Sequence, residues 1–196
     1  MLIKQPSLDS PKIDIGFLNQ ILYPYRATGT DYLKSTWINS NEISDAKTQN
    51  QPIISTTGLF SIPKSCYIKD TGHFNAVELL ICFNQLAYST FGHMVNTNFF
   101  KKKTIENIKP HCRKVLAQIG IETYIEEQLS SMFILKSITR FKKKINAKQF
   151  SGHLSVNKIL YRNNTIFIDT SCIFIDETDG YADGDVQLAY VLTHFH

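Results

Sequence analysis

The chain has 196 residues, a hydrophobic content of 43% and a net charge of +4, which is the composition of one folded domain over residues 1–196 and not of a disordered segment. So mild a positive charge does not require nucleic acid as a partner, and no apolar run approaches the roughly 20 residues of a membrane span. The four cysteines form no CxxC pair, which excludes the usual zinc motif and favours a cytoplasmic protein with free thiols.

The N-terminal third predicts one helix and two strands. Residues 1–11 are polar and are expected to form a loose arm. Apolar residues recur at helical spacing from Lys12 to Leu22, and Pro24 is expected to end that helix because proline lacks a backbone donor. Residues 32–38 alternate between apolar and polar, and residues 52–60 are rich in Ile and Thr, so both segments predict strands.

The middle of the chain predicts a buried helix that begins at Asn75. Asn75 followed three residues later by Glu78 is a capping-box pattern, which satisfies the first free N–H groups of a helix. At about 100° per residue, the small and polar residues gather in one stripe and the rest is apolar. That stripe consists of Glu78, Cys82, Gln85, Ser89 and Gly92. Asn84 is the exception, because it projects from the apolar side, where an unpaired amide costs on the order of 1–3 kcal/mol.

The C-terminal half predicts a broken helix followed by four strands. Residues 110–129 have a helical pattern with an interruption at Gly120. The four β-rich segments are residues 132–141, 151–161, 165–175 and 185–195. Short turns between them imply an antiparallel meander. Two strands, a buried helix and four strands predict an α+β hotdog fold, in which one antiparallel sheet wraps around the central helix.

Candidate chemical groups gather where the central helix begins. Free N–H groups and the partial positive charge of a helix start can stabilise a carbonyl oxygen that gains negative charge. Gly72 permits close approach of a substrate, and His73 and Glu78 are candidates for proton transfer. For three candidate residues the alternative is a purely structural role. Glu78 is then the capping partner, His73 a turn residue, and Asn84 a core amide whose hydrogen bonds are satisfied.

Phenols and cations elsewhere are weaker candidates on composition alone. Tyr25 and Tyr67 are typical of core or rim aromatic residues. A solvated surface is the typical place for Lys136, Arg140 and the run from Lys142 to Lys144. The alternative is that these cations bind the phosphates of coenzyme A or an acidic carrier protein.

Two long stretches resemble the FcoT-like family, described first as long-chain fatty acyl-CoA thioesterases with a hotdog fold. They are GHFNAVELLICFNQLAYSTF at residues 72–91 and QLSSMFILKSITRFKKKINAKQFSGHL at residues 128–154. The resemblance runs from the YPY segment at Tyr23 to about Leu154. It implies that the site residues of the family correspond to Tyr25, Tyr67, Asn75 and Asn84.

The resemblance implies two alternative reactions. Some members look like enzymes of isonitrile lipopeptide biosynthesis that add glycine across the double bond of a (2E)-enoyl group on an acyl carrier protein. Others look like thioesterases. Both reactions place negative charge on the thioester oxygen, so donors near Gly72 serve either one. Glycine addition also needs a base, for which His73 and Glu78 are candidates, and a group that holds the glycine carboxylate, for which we consider Arg140 and Lys136.

Glycine addition is the preferred hypothesis, because Glu78 is the sole carboxylate of the central helix that could activate water and it is also the expected cap. Thioester hydrolysis is the first alternative, and a non-catalytic acyl-carrier-binding module is the second. We expect no metal and no cofactor, since the substrate itself carries phosphopantetheine or coenzyme A. The resemblance further implies a homodimer or an assembly of dimers, with the acyl tunnel between subunits.

Overall fold

A six-stranded antiparallel sheet packs against one long helix in the computed structural model, which describes residues 10–39, 51–68, 72–102 and 108–192. The strands are β1 (Leu33–Asn39), β2 (Ile54–Phe60), β3 (Met132–Lys143), β4 (Phe150–Arg162), β5 (Thr165–Ile175) and β6 (Tyr181–Val191). The helices are α1 (Ile15–Ile21), α2 (Tyr23–Arg26), α3 (Ala76–Asn96), α4 (Pro110–Leu116) and α5 (Ile121–Ser131), with a 3-10 turn at Phe99–Lys101. The predicted hotdog fold is confirmed.

The sheet has an inner face against α3 and an outer face that points away from it. Successive side chains of a strand point to opposite faces, and in β5 every second residue from Ile166 to Phe174 is buried while the intervening residues are partly exposed. Phe74, just before α3, packs on Phe150 of β4 and Phe174 of β5, with ring centroids 4.6 and 5.4 Å away. The core therefore lies between α3 and the inner face.

The predicted four-strand meander is right for β4, β5 and β6 and wrong for β3. The strand order is β1-β2-β4-β5-β6-β3, so β3 pairs with β6 and forms an edge of the sheet. β2 already pairs along the other side of β4, from Ile54 with Val156 to Phe60 with Phe150. Because no free edge of β4 remains for β3, residues 144–149 carry the chain past β6 and β5. The last strand also begins four residues before the predicted Asp185, at Tyr181, directly after a turn with Asp179 at φ 61°.

The N-terminal elements shift slightly from their predicted bounds. Asp14 caps α1 by accepting a 2.9 Å bond from the N–H of Phe17, so the helix begins after the predicted Lys12. The N–H of Ile13 instead donates to the carbonyl of Thr36 at 2.8 Å. Pro24 lies in the first turn of α2, where its missing N–H costs nothing. Most of the predicted arm lies outside the described residues.

The predicted break at Gly120 is confirmed, because this residue is the N-cap of α5 directly after α4. Among the described residues, no helix combines the length and the apolarity that a membrane crossing requires.

A polar network covers the outer face beside β1. His153 lies between Asn39, whose Nδ2 is 3.1 Å from Nδ1 of the ring, and Ser155, whose hydroxyl is 3.3 Å from Nε2. The Thr57 hydroxyl donates to the Asn39 carbonyl oxygen at 3.1 Å. Both ring nitrogens of this half-buried histidine therefore have partners in the neutral state.

Lowering the pH is expected to destabilise the protein through His153. Burial lowers the pKa of His153, so the folded state binds fewer protons at this ring than the unfolded chain does. Its contribution to the free energy of unfolding is constant above the unfolded pKa of about 6.5 and is lost as the pH falls through that value. Urea denaturation between about pH 8 and pH 5 measures the effect. The His153→Gln variant should show a shallower pH dependence, and identical slopes would contradict the prediction.

Candidate active site at the start of the central helix

Asn75 is the centre of a hydrogen-bonded group at the start of α3. Its side-chain oxygen accepts bonds from the N–H of Val77 at 3.0 Å, the N–H of Glu78 at 3.2 Å and the hydroxyl of Tyr67 at 2.9 Å. The Glu78 carboxylate accepts from the N–H of Asn75 at 3.4 Å, so the predicted capping box is confirmed. The contact between Tyr67 and Asn75 could not be derived from sequence, because it depends on the path of the chain between them.

The capping box occupies most of the N–H groups that were expected to face a substrate. The N–H groups of Asn75, Val77 and Glu78 are bonded within the box, and that of Phe74 donates to the carbonyl of Ile145 at 3.1 Å. The side-chain nitrogen of Asn75 is different, because it is buried and has no hydrogen-bond partner among the described residues. A buried amide nitrogen without a partner is a costly arrangement in isolation. It is therefore a donor at this helix start whose hydrogen-bonding capacity is not used by the described residues.

Glu78 faces the interior of the subunit. Its residue is 2% exposed, and its charge, after burial, helps raise the pKa of the Cys82 thiol and of the Tyr32 phenol. Glu78 therefore lies close to Cys82 and Tyr32. Asn84 follows it by six positions, which is not a same-face spacing in a helix. The structure thus places these two predicted site residues on different faces of α3.

Asn84 lies on a half-open face of α3, which corrects the expectation that this side of the helix is buried. Val77 is 45% exposed, and Leu80, Ile81 and Asn84 are partly exposed. The polar stripe is buried together with apolar residues such as Leu79 and Phe83. Within it, Gln85 donates to the carbonyl of Thr30 at 2.6 Å and accepts from a backbone N–H of β1 at 2.9 Å. A helical wheel separates polar from apolar positions, but it does not say which of them the rest of the chain covers.

Tyr25 lies near the same half-open face. Its ring centroid is 6.3 Å from that of Tyr88, which follows Asn84 by one helical turn. Burial raises the pKa of the Tyr25 phenol, and the neighbouring Tyr88 and Cys82 raise it further. This phenol therefore remains protonated and can only donate or accept a hydrogen bond in its neutral form.

Gly72 and His73 are exposed in the turn that leads into α3. Gly72 has φ 70°, a left-handed conformation that glycine adopts without strain. Only Phe74 separates His73 from Asn75 in the chain, and Tyr67 is hydrogen-bonded to Asn75, so Gly72, His73, Tyr67 and Asn75 form one group at the start of α3. We refer to these four residues as the helix-entrance group.

The predicted cations lie on the outer face of the sheet, away from this group. Arg140 binds Asp183 through Nε at 2.8 Å and Asp185 through Nη2 at 3.2 Å, and Lys142 binds Asp183 at 2.6 Å. Lys142 and Arg140 together hold the pKa of Asp183 below its ordinary value. Lys136 is exposed on the same face, opposite Gln187. These cations are separated from the helix-entrance group by the thickness of the sheet, and two of them already bind carboxylates.

Residues 20–190 match the FcoT-like thioesterase domain family. This chain belongs to the FcoT-like thioesterase family. The match includes the helix-entrance group, Tyr25, Asn84 and all of the sheet except Val191. Within the described residues, no group of three or more His, Cys, Asp or Glu side chains is arranged to hold a metal ion.

Several curated relatives of this FcoT-like chain share one name, (2E)-enoyl-[ACP] glycyltransferase. The protein of that name from Mycobacterium tuberculosis is 37% identical over 175 residues, which cover 88% of this chain and 84% of the relative. The one from Streptomyces coeruleorubidus is 28% identical over 186 residues, covering 91% and 97%. Among solved structures, a putative thioesterase from Shewanella oneidensis has a TM-score of 0.47 at 7% identity, covering 90% of this chain and 98% of that one.

Proposed function

We propose that this FcoT-like protein adds glycine to the β-carbon of a (2E)-enoyl group carried as a thioester on an acyl carrier protein. The observation that carries the proposal is the unpaired side-chain nitrogen of Asn75, at the start of a helix whose one carboxylate is buried in a capping box. The name shared by the relatives supports the same reaction. A cytoplasmic location and a carrier-bound rather than free acyl group are part of this proposal.

We assign roles to three members of the helix-entrance group, namely Asn75, Tyr67 and His73. The glycine amine forms a bond to the β-carbon, and the electron pair of the double bond moves so that the thioester oxygen becomes an enolate oxygen. The Asn75 side chain donates to that oxygen, while the Tyr67 hydroxyl holds the amide in place at 2.9 Å. His73 takes the proton from the nitrogen and then returns it to the α-carbon, which restores the thioester carbonyl. The thioester bond to the carrier remains intact.

Hydrolysis of the thioester is the alternative that the family description favours. The same Asn75 donor would stabilise the oxyanion formed when water attacks the thioester carbon. The reaction also needs a group that activates water. Glu78 is poorly placed for this because it is bonded in the capping box and faces the interior. A non-catalytic acyl-carrier-binding module is the second alternative.

Mass spectrometry of a (2E)-enoyl-acyl carrier protein, incubated with the enzyme with and without isotopically labelled glycine, tests the proposal. The expected product is a carrier heavier by one glycine, formed only with enzyme. Release of free acid at the same rate without glycine, and no adduct, would mean hydrolysis. An intact enoyl carrier after prolonged incubation would mean that the protein only binds it.

Replacing Glu78 by glutamine is expected to leave the rate of glycine addition close to that of the wild type. Glutamine also completes a capping box, and Glu78 faces away from Asn84. Steady-state kinetics check this, with the melting temperature as the control for folding. A loss of about 100- to 10,000-fold, which is typical of removing a general base, would instead assign proton transfer to Glu78.

We also propose that the protein forms a homodimer through the edge of β3. This edge strand carries four apolar side chains that are at least two-fifths exposed. They are Phe133 and Ile138 on the outer face, Leu135 at a register shift, and Phe141 on the inner face beside Phe74. An exposed apolar edge strand favours pairing with another strand, and pairing of identical edges satisfies both copies.

The Ile138→Glu variant is expected to shift the dimer towards monomer, because it places like charges at the proposed interface. Sedimentation or light scattering measures the change. The control is Leu160→Glu, which alters a similarly exposed apolar residue on the interior strand β4. Dissociation by both variants, or by neither, would contradict an interface at β3.

A further inference from the structure

An irregular segment of the chain, residues 61–68, leads from β2 towards α3 and carries Tyr67. We refer to it as the Tyr67 segment. These described residues form no helix or strand, so strand pairing does not fix their positions. The segment begins where the N–H of Ser61 donates to the carbonyl of Tyr32 at 3.0 Å. Because the Tyr67 hydroxyl binds Asn75 at 2.9 Å, the path of this segment determines how Asn75 is held.

The side chain of Tyr32 contacts the Tyr67 segment at two further points. Tyr32 is 1% exposed, and its hydroxyl donates to the carbonyl of Lys64 at 3.3 Å. Burial, and after it the thiol of Cys66, raises the pKa of this phenol, so the hydroxyl stays protonated and Cys66 lies beside it. Cys66 directly precedes Tyr67 in the chain. Tyr32 therefore contacts the segment both at its start and close to Tyr67.

Tyr32 is itself fixed to the sheet and to the central helix. It directly precedes β1, whose first residue Leu33 donates its N–H to the buried side chain of Gln85 at 2.9 Å. The charge of Glu78, on the same helix as Gln85, adds to the rise in the pKa of the Tyr32 phenol, so these two side chains are also close. Tyr32 thus connects the packed core to the irregular Tyr67 segment.

We infer that Tyr32 is a positioning residue, which holds the Tyr67 segment so that the Tyr67 hydroxyl stays bonded to Asn75 and the Asn75 nitrogen points to the substrate. The inference rests on the proposed function, because that function makes this nitrogen the donor to the enolate oxygen. Tyr32 does not touch the substrate, since its hydroxyl is buried and already donates to Lys64. Its effect on the reaction therefore passes through Tyr67.

A double-mutant cycle of Tyr32→Phe and Tyr67→Phe tests this path. Phenylalanine removes the hydroxyl and keeps the ring, so the packing around each position is retained. Each single variant is expected to lower kcat by roughly two- to tenfold, the usual effect of losing one neutral hydrogen bond, with both KM values unchanged. The double variant should be no slower than Tyr67→Phe alone, because Tyr32 acts through the Tyr67 hydroxyl. Losses that multiply in the double variant would overturn the inference.

NMR of the protein with isotopically labelled asparagine gives a second readout that needs no turnover. The side-chain amide resonance of Asn75 is identified by its loss in Asn75→Ser. Tyr32→Phe should shift this resonance, and it should cause no further shift when Tyr67 is already phenylalanine. If Tyr32→Phe does not fold, Cys66→Ala removes the other contact near Tyr67 from an exposed position and should shift the same resonance.

Tyr124→Phe is the matched control, since Tyr124 is 0% exposed and its hydroxyl donates to the carbonyl of Tyr88 at 2.9 Å, away from the Tyr67 segment. It should lower the melting temperature and leave the Asn75 resonance in place. An unmoved Asn75 resonance in folded Tyr32→Phe would overturn the inference. A shifted resonance in a protein that forms no glycine adduct would instead overturn the proposed function and leave the positioning of Asn75 intact.

Discussion

Replacing Asn75 by serine is expected to lower the rate of glycine addition by about 100- to 1000-fold, the usual effect of removing one donor to a developing oxyanion. The Asn75 side chain has two functions in this structure. Its oxygen caps α3, and its nitrogen is the unpaired donor. Serine is an equally good capping residue but has no second donor that reaches the substrate. The expected loss is therefore in kcat and not in stability.

The Asn75→Asp variant provides the matched comparison. A carboxylate caps a helix as well as an amide does, but it cannot donate and it repels an enolate. Both variants should melt close to the wild-type temperature, while Asn75→Asp should be the slower of the two. Wild-type kcat in both would reduce Asn75 to a helix cap. A large fall in melting temperature with unchanged kcat would lead to the same conclusion.

Replacing Asn84 by alanine should raise the KM for glycine by about 10- to 100-fold, because a hydrogen bond to a charged group contributes about 1.5–3 kcal/mol. The predicted carboxylate ligand Arg140 is already bound to Asp183 and Asp185 on the far face of the sheet. Asn84 is instead a partly exposed amide on the half-open face of α3. We expect it to donate to the glycine carboxylate.

The KM for the enoyl carrier should change little in the Asn84 variant. Asn96→Ala is the control, since it removes an exposed amide at the last residue of the same helix. Steady-state kinetics with each substrate varied in turn separate the two constants. An increase confined to the enoyl carrier would place Asn84 against the acyl group. Unchanged kinetics would return it to a structural role.

Local features of the chain were predictable where they depend only on residues close together in the sequence. The capping box of Asn75 and Glu78 and the break at Gly120 depend on groups a few residues apart, and both are confirmed. The alternation of apolar residues likewise located β5 at its observed bounds. The hotdog fold could be predicted because a long apolar helix among antiparallel strands has few ways to bury itself.

Contacts between segments that are distant in the sequence decided the strand order and the face on which each side chain lies. The pairing of β2 with β4 sends β3 to the edge beside β6. That pairing and strand alternation place Arg140 and Lys142 on the face opposite α3. Thr30 and β1 cover the Gln85 side of α3, so Asn84 lies on the half-open face. The capping box uses the side-chain oxygen of Asn75 and leaves its nitrogen as the unpaired donor. The sequence by itself determines which side chains are polar and at what spacing. Only the tertiary structure decides which of them are covered, because burial depends on segments that meet after the whole chain has folded.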